Sequence, residues 1–341
     1  MTAGAGADDT RGIRPSGPDT IVVSVRWLLT TLVAIAVSAL CLWLLLTPPA
    51  LTALGRLATG GSLTSVLGAL ALVALVQWLR AWRFAVMMTG RLALPGVTLT
   101  RISFQLTLWN VLLPLRLGEL SFPLLMRRHL GYDLLHAGGV LLIARLFDLA
   151  TVGAILLAAA AVLDAWPGLV GRALLVLGAA GLGLAPLGLT IAGLALRPYL
   201  RKLPRIGNAA ERLTAGLEAI AGYRAGVAAA GLGLALWLVF GAGAILVASA
   251  VVATVSPGAA MLGAAAANVA FALPINGIAG IGPSQAAWVA ATTWVGVPWD
   301  DAVVSALALH AVVLMNAIVL GGLAMAGGAS GRVDASEHIG P

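Results

Sequence analysis

The chain reads as an all-α polytopic membrane protein, with about six full transmembrane helices and two re-entrant hairpins arranged as an inverted-topology repeat. Three observations lead there. Of 341 residues, 60% are hydrophobic and 10% charged, with a mean hydropathy of +1.02, whereas soluble domains carry roughly a quarter charged residues. Two apolar stretches are broken by proline, glycine and polar groups around Pro114 and Pro274, 160 positions apart. Basic residues are placed so that the flanks of the two breaks fall on opposite sides of a bilayer.

Residues 1–24, rich in Gly, Asp, Arg and Pro, are expected to form a disordered cytoplasmic tail. The apolar run 25–46 is long for a signal-peptide core and ends in Thr47-Pro48-Pro49 without a small-x-small cleavage site, so it is expected as a retained first helix. Segments 62–80, 137–163, 170–196, 227–255 and 302–326 approach or exceed the ~20 apolar residues that cross a bilayer. The stretches 102–126 and 259–297 hold the breaks. Ile102 to Leu113 is 12 residues, or about 18 Å of helix against a ~30 Å hydrocarbon core. Such short pieces are tolerated where protein or a wet cavity covers the exposed backbone, as in a re-entrant hairpin. Residues 25–326 thus form one transmembrane domain, with repeat halves at 62–163 and 227–326, and 327–341 is a second cytoplasmic tail.

Charge sets the orientation. Arg80, Arg83, Arg91 and Arg101 precede the first break, and Arg127, Arg128 and His129 follow it, so both flanks are expected in the cytoplasm. The loop from Arg197 to Arg224 is basic and also cytoplasmic. Counting helices from there puts both flanks of the second break outside, where Trp299-Asp300-Asp301 carries no basic residue, and both chain termini inside. Arg56 is the discordant charge. Segment starts at 62 and 227, and at 137 and 302, differ by the same 165 positions. Interrupted segments at corresponding places in two inverted halves are a sequence pointer to a transporter's binding site.

Depth counting then selects residues. From Ala137, Arg145 lies about 12 Å and Asp148 about 16 Å into the membrane, and Arg116 and Glu119 sit at the first hairpin tip. Intramembrane charges pair and mark substrate or ion pathways. The lesser alternative is that these four groups form a closed, net-neutral network that only pins the hairpin. The returning helices are expected to begin near Gly118 and Ser284, presenting unpaired N–H groups at mid-membrane. Gly118, Gly277, Gly280 and Gly282 would allow close backbone approach to an anionic group. The candidate substrate-binding set is Asn110, Pro114, Arg116, Gly118, Glu119, Arg145, Asp148, Asn268, Pro274, Asn276, Gly280, Gly282, Ser284 and Gln285. His310 is read as a partner for a neighbouring helix and Asp300 and Asp301 as helix caps.

The string Asn110…Pro114-x-Arg116-x-Gly118-Glu119, followed by Arg145-x-x-Asp148, resembles the first signature of the lysylphosphatidylglycerol synthase transmembrane region, or flippase-like, family. Pro274…Gly280-x-Gly282-x-x-Gln285-Ala-Ala resembles its second signature, spanning with the first about residues 25 to 326. That family usually carries glutamate where this chain has Gln285, so an acid-dependent role is not carried over to that position. The resemblance implies translocation of a phosphate-headed lipid, such as an aminoacyl-phosphatidylglycerol or a polyprenyl-linked or glycolipid, between leaflets of the cytoplasmic membrane. The synthase domain that makes the lipid in the best-known members is not in this chain.

No P-loop, HExxH, GxSxG or paired-cysteine motif is present, so no enzyme activity, cofactor or metal is expected; Cys41 is the single cysteine. The net charge of +7 encodes topology rather than nucleic-acid binding. Expected partners are membrane phospholipids or lipid-linked intermediates, with room for a homo-oligomer and a separate lipid-modifying enzyme. A membrane-embedded enzyme or accessory protein of lipid-linked glycan or phospholipid modification, and a small-solute carrier, remain the alternative functions.

Overall fold

The computed structural model describes residues 43, 48, 63–200, 223–273 and 277–326. Apart from Trp43, the first helix at 25–46 lies outside the described residues, as do both tails, Pro274 and Asn276. Among those described the secondary structure is helical: α1 Leu63–Thr89, α2 Val97–Leu112, a 3-10 segment Pro114–Leu120, α3 Ser121–Leu130, α4 Leu134–Val162, α5 Leu169–Leu200, α6 Tyr223–Val251, α7 Pro257–Phe271, a 3-10 turn Ile278–Gly280, α8 Pro283–Trp294 and α9 Trp299–Ala326. Five of them, α1, α4, α5, α6 and α9, are long and apolar enough to cross a membrane. These are the five expected spans that fall within the described residues, and the protein is a multi-pass membrane protein.

Local chemistry sets the boundaries. Gly90 and Gly131 adopt left-handed φ of 66° and 73° directly after α1 and α3, as C-terminal helix stops commonly do. Asp133 caps α4 by accepting from the N–H groups of Leu135 and His136 at 3.0 and 3.2 Å. Ser256 caps α7 through Ala259 N–H, with Pro257 in the first turn. Asp301 accepts from the Thr254 hydroxyl at 2.6 Å and so ties α9 to the segment before α7.

α1 is longer than expected: it runs on through Arg80 and Arg83 to Thr89. Arginines after an apolar run are expected to mark a cytoplasmic flank; instead Arg83 is 1% exposed, inside the packed protein. Arg172, at the start of α5, pairs with Asp164 at 2.9 Å across the α4–α5 connection, which neutralises a charge on the expected outer side.

The helices that flank each break are short. α2 and α7 contain 16 and 15 residues, about 24 and 22 Å, and α3 and α8 contain 10 and 12. α2 packs back on α3, and α7 on α8. The two halves correspond element by element. α1 and α6 have 27 and 29 residues and begin 160 positions apart, as do α2 and α7; α4 and α9 have 29 and 28. α1 and α6 lie along each other at the centre, with Ala69 and Ala244 fully buried. Packing is reciprocal: α4 covers α7, while α9 covers α2. Asn316 on α9 donates to the Leu70 carbonyl of α1 at 3.0 Å. Each half therefore completes the other.

Candidate functional site

The site grows from one face of α1. Gln77, Arg80 and Arg83 recur every three residues and so stack on the same side of the helix. Arg83 meets Asp148 of α4 in a two-pronged pair, Nη1 to Oδ1 at 2.6 Å and Nη2 to Oδ2 at 2.9 Å. Trp237 Nε1 of α6 donates to Oδ1 at 2.9 Å, and Arg145 Nη1 reaches Oδ2 at 3.4 Å. Asp148 thus joins α1, α4 and α6 and has no oxygen without a donor. Arg80 is held differently. Its Nη1 donates to Gln77 Oε1 at 2.8 Å and to Thr107 Oγ1 at 3.1 Å, and the Thr107 hydroxyl donates to Gln77 Oε1 at 2.7 Å. All of its hydrogen-bond partners are neutral.

The first break brings two further charges. Arg116 takes a left-handed φ of 59°, unusual for a side chain of its size, and this turns it across to the second break. Its Nη1 donates to the Ala272 carbonyl at the end of α7 at 2.8 Å, and its guanidinium lies 5.5 Å over the Phe271 ring. Its Nη2 pairs with Glu119 Oε1. Arg145 Nε lies 2.9 Å from that same oxygen as an ion pair, without hydrogen-bond alignment. The chain Arg116–Glu119–Arg145–Asp148–Arg83 therefore runs unbroken from the first break to α1.

Gly118 serves this arrangement from behind. A Cβ there would run into the backbone of Trp109 and Asn110, so its bareness lets the 3-10 segment lie against α2. The expectation that it admits a substrate gives way to this packing role. The returning helix starts at Ser121, three residues later than expected. In the second break Gly280 and Gly282 have φ of 72° and 135°. The Gly282 N–H donates to Gln285 Oε1 at 2.7 Å, and the Ser284 hydroxyl donates to the same oxygen at 3.0 Å. Gln285 is thus the internal cap of α8, a task that asks for an acceptor oxygen rather than a charge.

Between the breaks lies a cavity of about 290 Å³, at the lower edge of the roughly 300–1,000 Å³ usual for ligand pockets. It gathers Asn110, Arg116, Arg145, Asp148, Asn268, Gly280, Ser284 and Gln285 from the expected set. Glu119 supports it through Arg116 and Arg145, while Gly118 and Gly282 do not line it. Sequence reasoning missed Gln77, Arg80, Thr107, Trp237 and His310, which also line it. A polar or charged residue every third position from Gln77 was the available signal, masked because arginines at a helix end also mark topology. His310 was expected to bond a neighbouring helix; it meets the Ala279 backbone of the second break, and its Nε2 is buried without a hydrogen bond. Asn110 Oδ1 and the Nε atoms of Arg80, Arg116 and Arg145 are likewise buried without a hydrogen bond, a concentration at odds with the usual pairing of buried polar groups.

Arg80, Arg83, Arg116 and Arg145 face two carboxylates, Glu119 and Asp148, which leaves two surplus positive charges. The cavity is not sealed: Leu146 and Leu149 of α4 line it and are 41% and 46% exposed on the molecular surface. Among the described residues no cluster of His, Cys, Asp and Glu could hold a metal ion.

Bilayer-length helices around a cavity lined by arginines define an integral membrane protein. The chain belongs to the lysylphosphatidylglycerol synthase TM region family, whose model matches residues 31–321. No curated protein and no solved structure matches it.

Proposed function

We propose that the protein is a lipid translocase of the cytoplasmic membrane, without enzymatic activity, that moves a phosphate-headed lipid between leaflets. The observation that carries this reading is the cavity: surplus positive charge inside, exposed leucines at its side. A soluble anion needs only the charge, whereas a lipid needs both, because its head must leave water while its tails stay in hydrocarbon. Membership of a family named for a lipid-modifying enzyme's membrane region supports the same class of substrate. The matched lengths and reciprocal packing of the halves support an inverted repeat with the two breaks as re-entrant hairpins, and rocking of one half on the other would alternate access. Both termini lie in the cytoplasm in this arrangement. Asp148 has donors on both of its oxygens, and Glu119 pairs with two arginines through Oε1, an arrangement that orients the arginines for an anionic head.

The test is transbilayer movement of head-labelled phospholipids in proteoliposomes holding the full chain. Arg145→Gln leaves Glu119 with Arg116 and Asp148 with Arg83, so the fold is expected to survive, and the transfer rate is expected to fall about tenfold or more. Equal rates with wild type, variant and empty vesicles would remove the translocase reading.

A further inference from the structure

We propose that the head group taken by this cavity is a net-anionic phosphodiester carrying hydroxyls and no amine, with its phosphate held at Arg80, Gln77 and Thr107. The inference rests on the lipid-handling reading and narrows it to a substrate class.

Three features of the site point the same way. Arg80 is a cation at the cavity wall whose hydrogen bonds go only to Gln77 Oε1 and Thr107 Oγ1. Its Nε is buried and makes no hydrogen bond. A guanidinium in that state lacks the counter-charge that buried cations normally have, and a phosphate supplies charge and several acceptor oxygens together. Arg116 is not the equivalent site, because the Ala272 carbonyl, the Phe271 ring and Glu119 already occupy it.

The carboxylates decide against an amine. Glu119 lies between Arg116 and Arg145, and Asp148 accepts from Arg83, Arg145 and Trp237. The charge of Glu119 is already shared between two arginines at Oε1. An ammonium group could reach Asp148 only by displacing an arginine, which would leave that guanidinium desolvated and unpaired. It would also enter a site with two surplus positive charges, where repulsion is stronger than in water because the surroundings are less polar. An aminoacyl lipid with a lysyl head is therefore a poor fit.

Two further lining residues supply the remaining preference. Asn110 Oδ1 accepts nothing, and His310 Nε2 makes no hydrogen bond. Both line the cavity and suit hydroxyl groups of a glycerol or sugar. The acyl chains leave past Leu146 and Leu149 into the membrane.

Equilibrium binding to the purified full-length protein in neutral detergent tests the assignment, with phosphatidylglycerol, lysyl-phosphatidylglycerol, diacylglycerol and soluble glycerol 3-phosphate as probes. Phosphatidylglycerol is expected to bind about tenfold or more tightly than the lysyl lipid and diacylglycerol. Arg80→Gln is expected to weaken phosphatidylglycerol at least about tenfold, and Arg80→Lys to restore much of it. If Arg80→Gln does not fold, as judged by its melting in detergent, Thr107→Val is used and is expected to weaken phosphatidylglycerol more than diacylglycerol. Equal or tighter binding of the lysyl lipid, or full phosphatidylglycerol affinity in the folded Arg80→Gln and Thr107→Val variants, overturns the proposal. Glycerol 3-phosphate binding as tightly as the lipid overturns the lipid source. Expected binding without transbilayer transfer keeps this head-group assignment while removing the translocase.

Discussion

Asp148 receives donors from three helices, and each would be costly to leave without it. Replacing it by Asn keeps the shape but removes the charge that compensates Arg83, which is 1% exposed. Breaking one side of a buried pair costs about 3–5 kcal/mol, whereas replacing both partners by apolar groups is often close to neutral. Asp148→Asn is accordingly expected to lower stability by about that amount, and Arg83→Met combined with Asp148→Leu to recover most of it. Unfolding in mixed micelles measures both; a single variant as stable as wild type would show that the pair does not hold the three helices together. The spacing of Arg145 and Asp148 was legible in the sequence because both sit on one helix. The partner Arg83 lies 65 positions away, and an arginine near the end of an apolar run has the same local signature whether it marks the membrane face or enters the core.

At the level of elements, the breaks are shaped by where a side chain is missing. The 3-10 segment can lie on α2 only because Gly118 has no Cβ to strike the Trp109 and Asn110 backbone. Gly138, on α4, has nothing within 4 Å of the same added atom. One chemical change should therefore act in opposite directions. Gly118→Ala is expected to destabilise by about 1–3 kcal/mol, the usual cost of overpacking. Gly138→Ala is expected to be neutral or stabilising by up to about 1 kcal/mol, because it removes a helix-weakening glycine. Thermal melting of both variants checks this, and a Gly118→Ala protein that melts like wild type would mean the segment moves freely off α2. Among 42 glycines composition could not distinguish the two positions. The breaks themselves were legible, since Pro114, and Pro283 after Gly282, interrupt apolar runs whose remaining pieces are too short to cross. What each glycine touches depends on chain folded back from elsewhere.

For the whole molecule the question is whether the halves are inverted. Hydropathy made the spanning helices readable, whereas the exchange of partners, α4 on α7 and α9 on α2, arises only when the halves meet. Among the described residues three bilayer-length helices, α4, α5 and α6, separate the α2–α3 pair from the α7–α8 pair. If each short pair returns to the face it left, an odd number of crossings lies between them and their flanks must be on opposite sides. The exposed Arg127 and Arg128 at the end of α3 fit the cytoplasmic side for the first. Leu92 and Pro298 are exposed at the flanks of the two pairs. With Cys41 replaced by Ala, Leu92→Cys is expected to resist an impermeant maleimide applied to intact cells and to react once the membrane is opened. Pro298→Cys is expected to react in intact cells. Labelling of both from the same face would mean that one short pair crosses the bilayer, and the two halves would then be parallel.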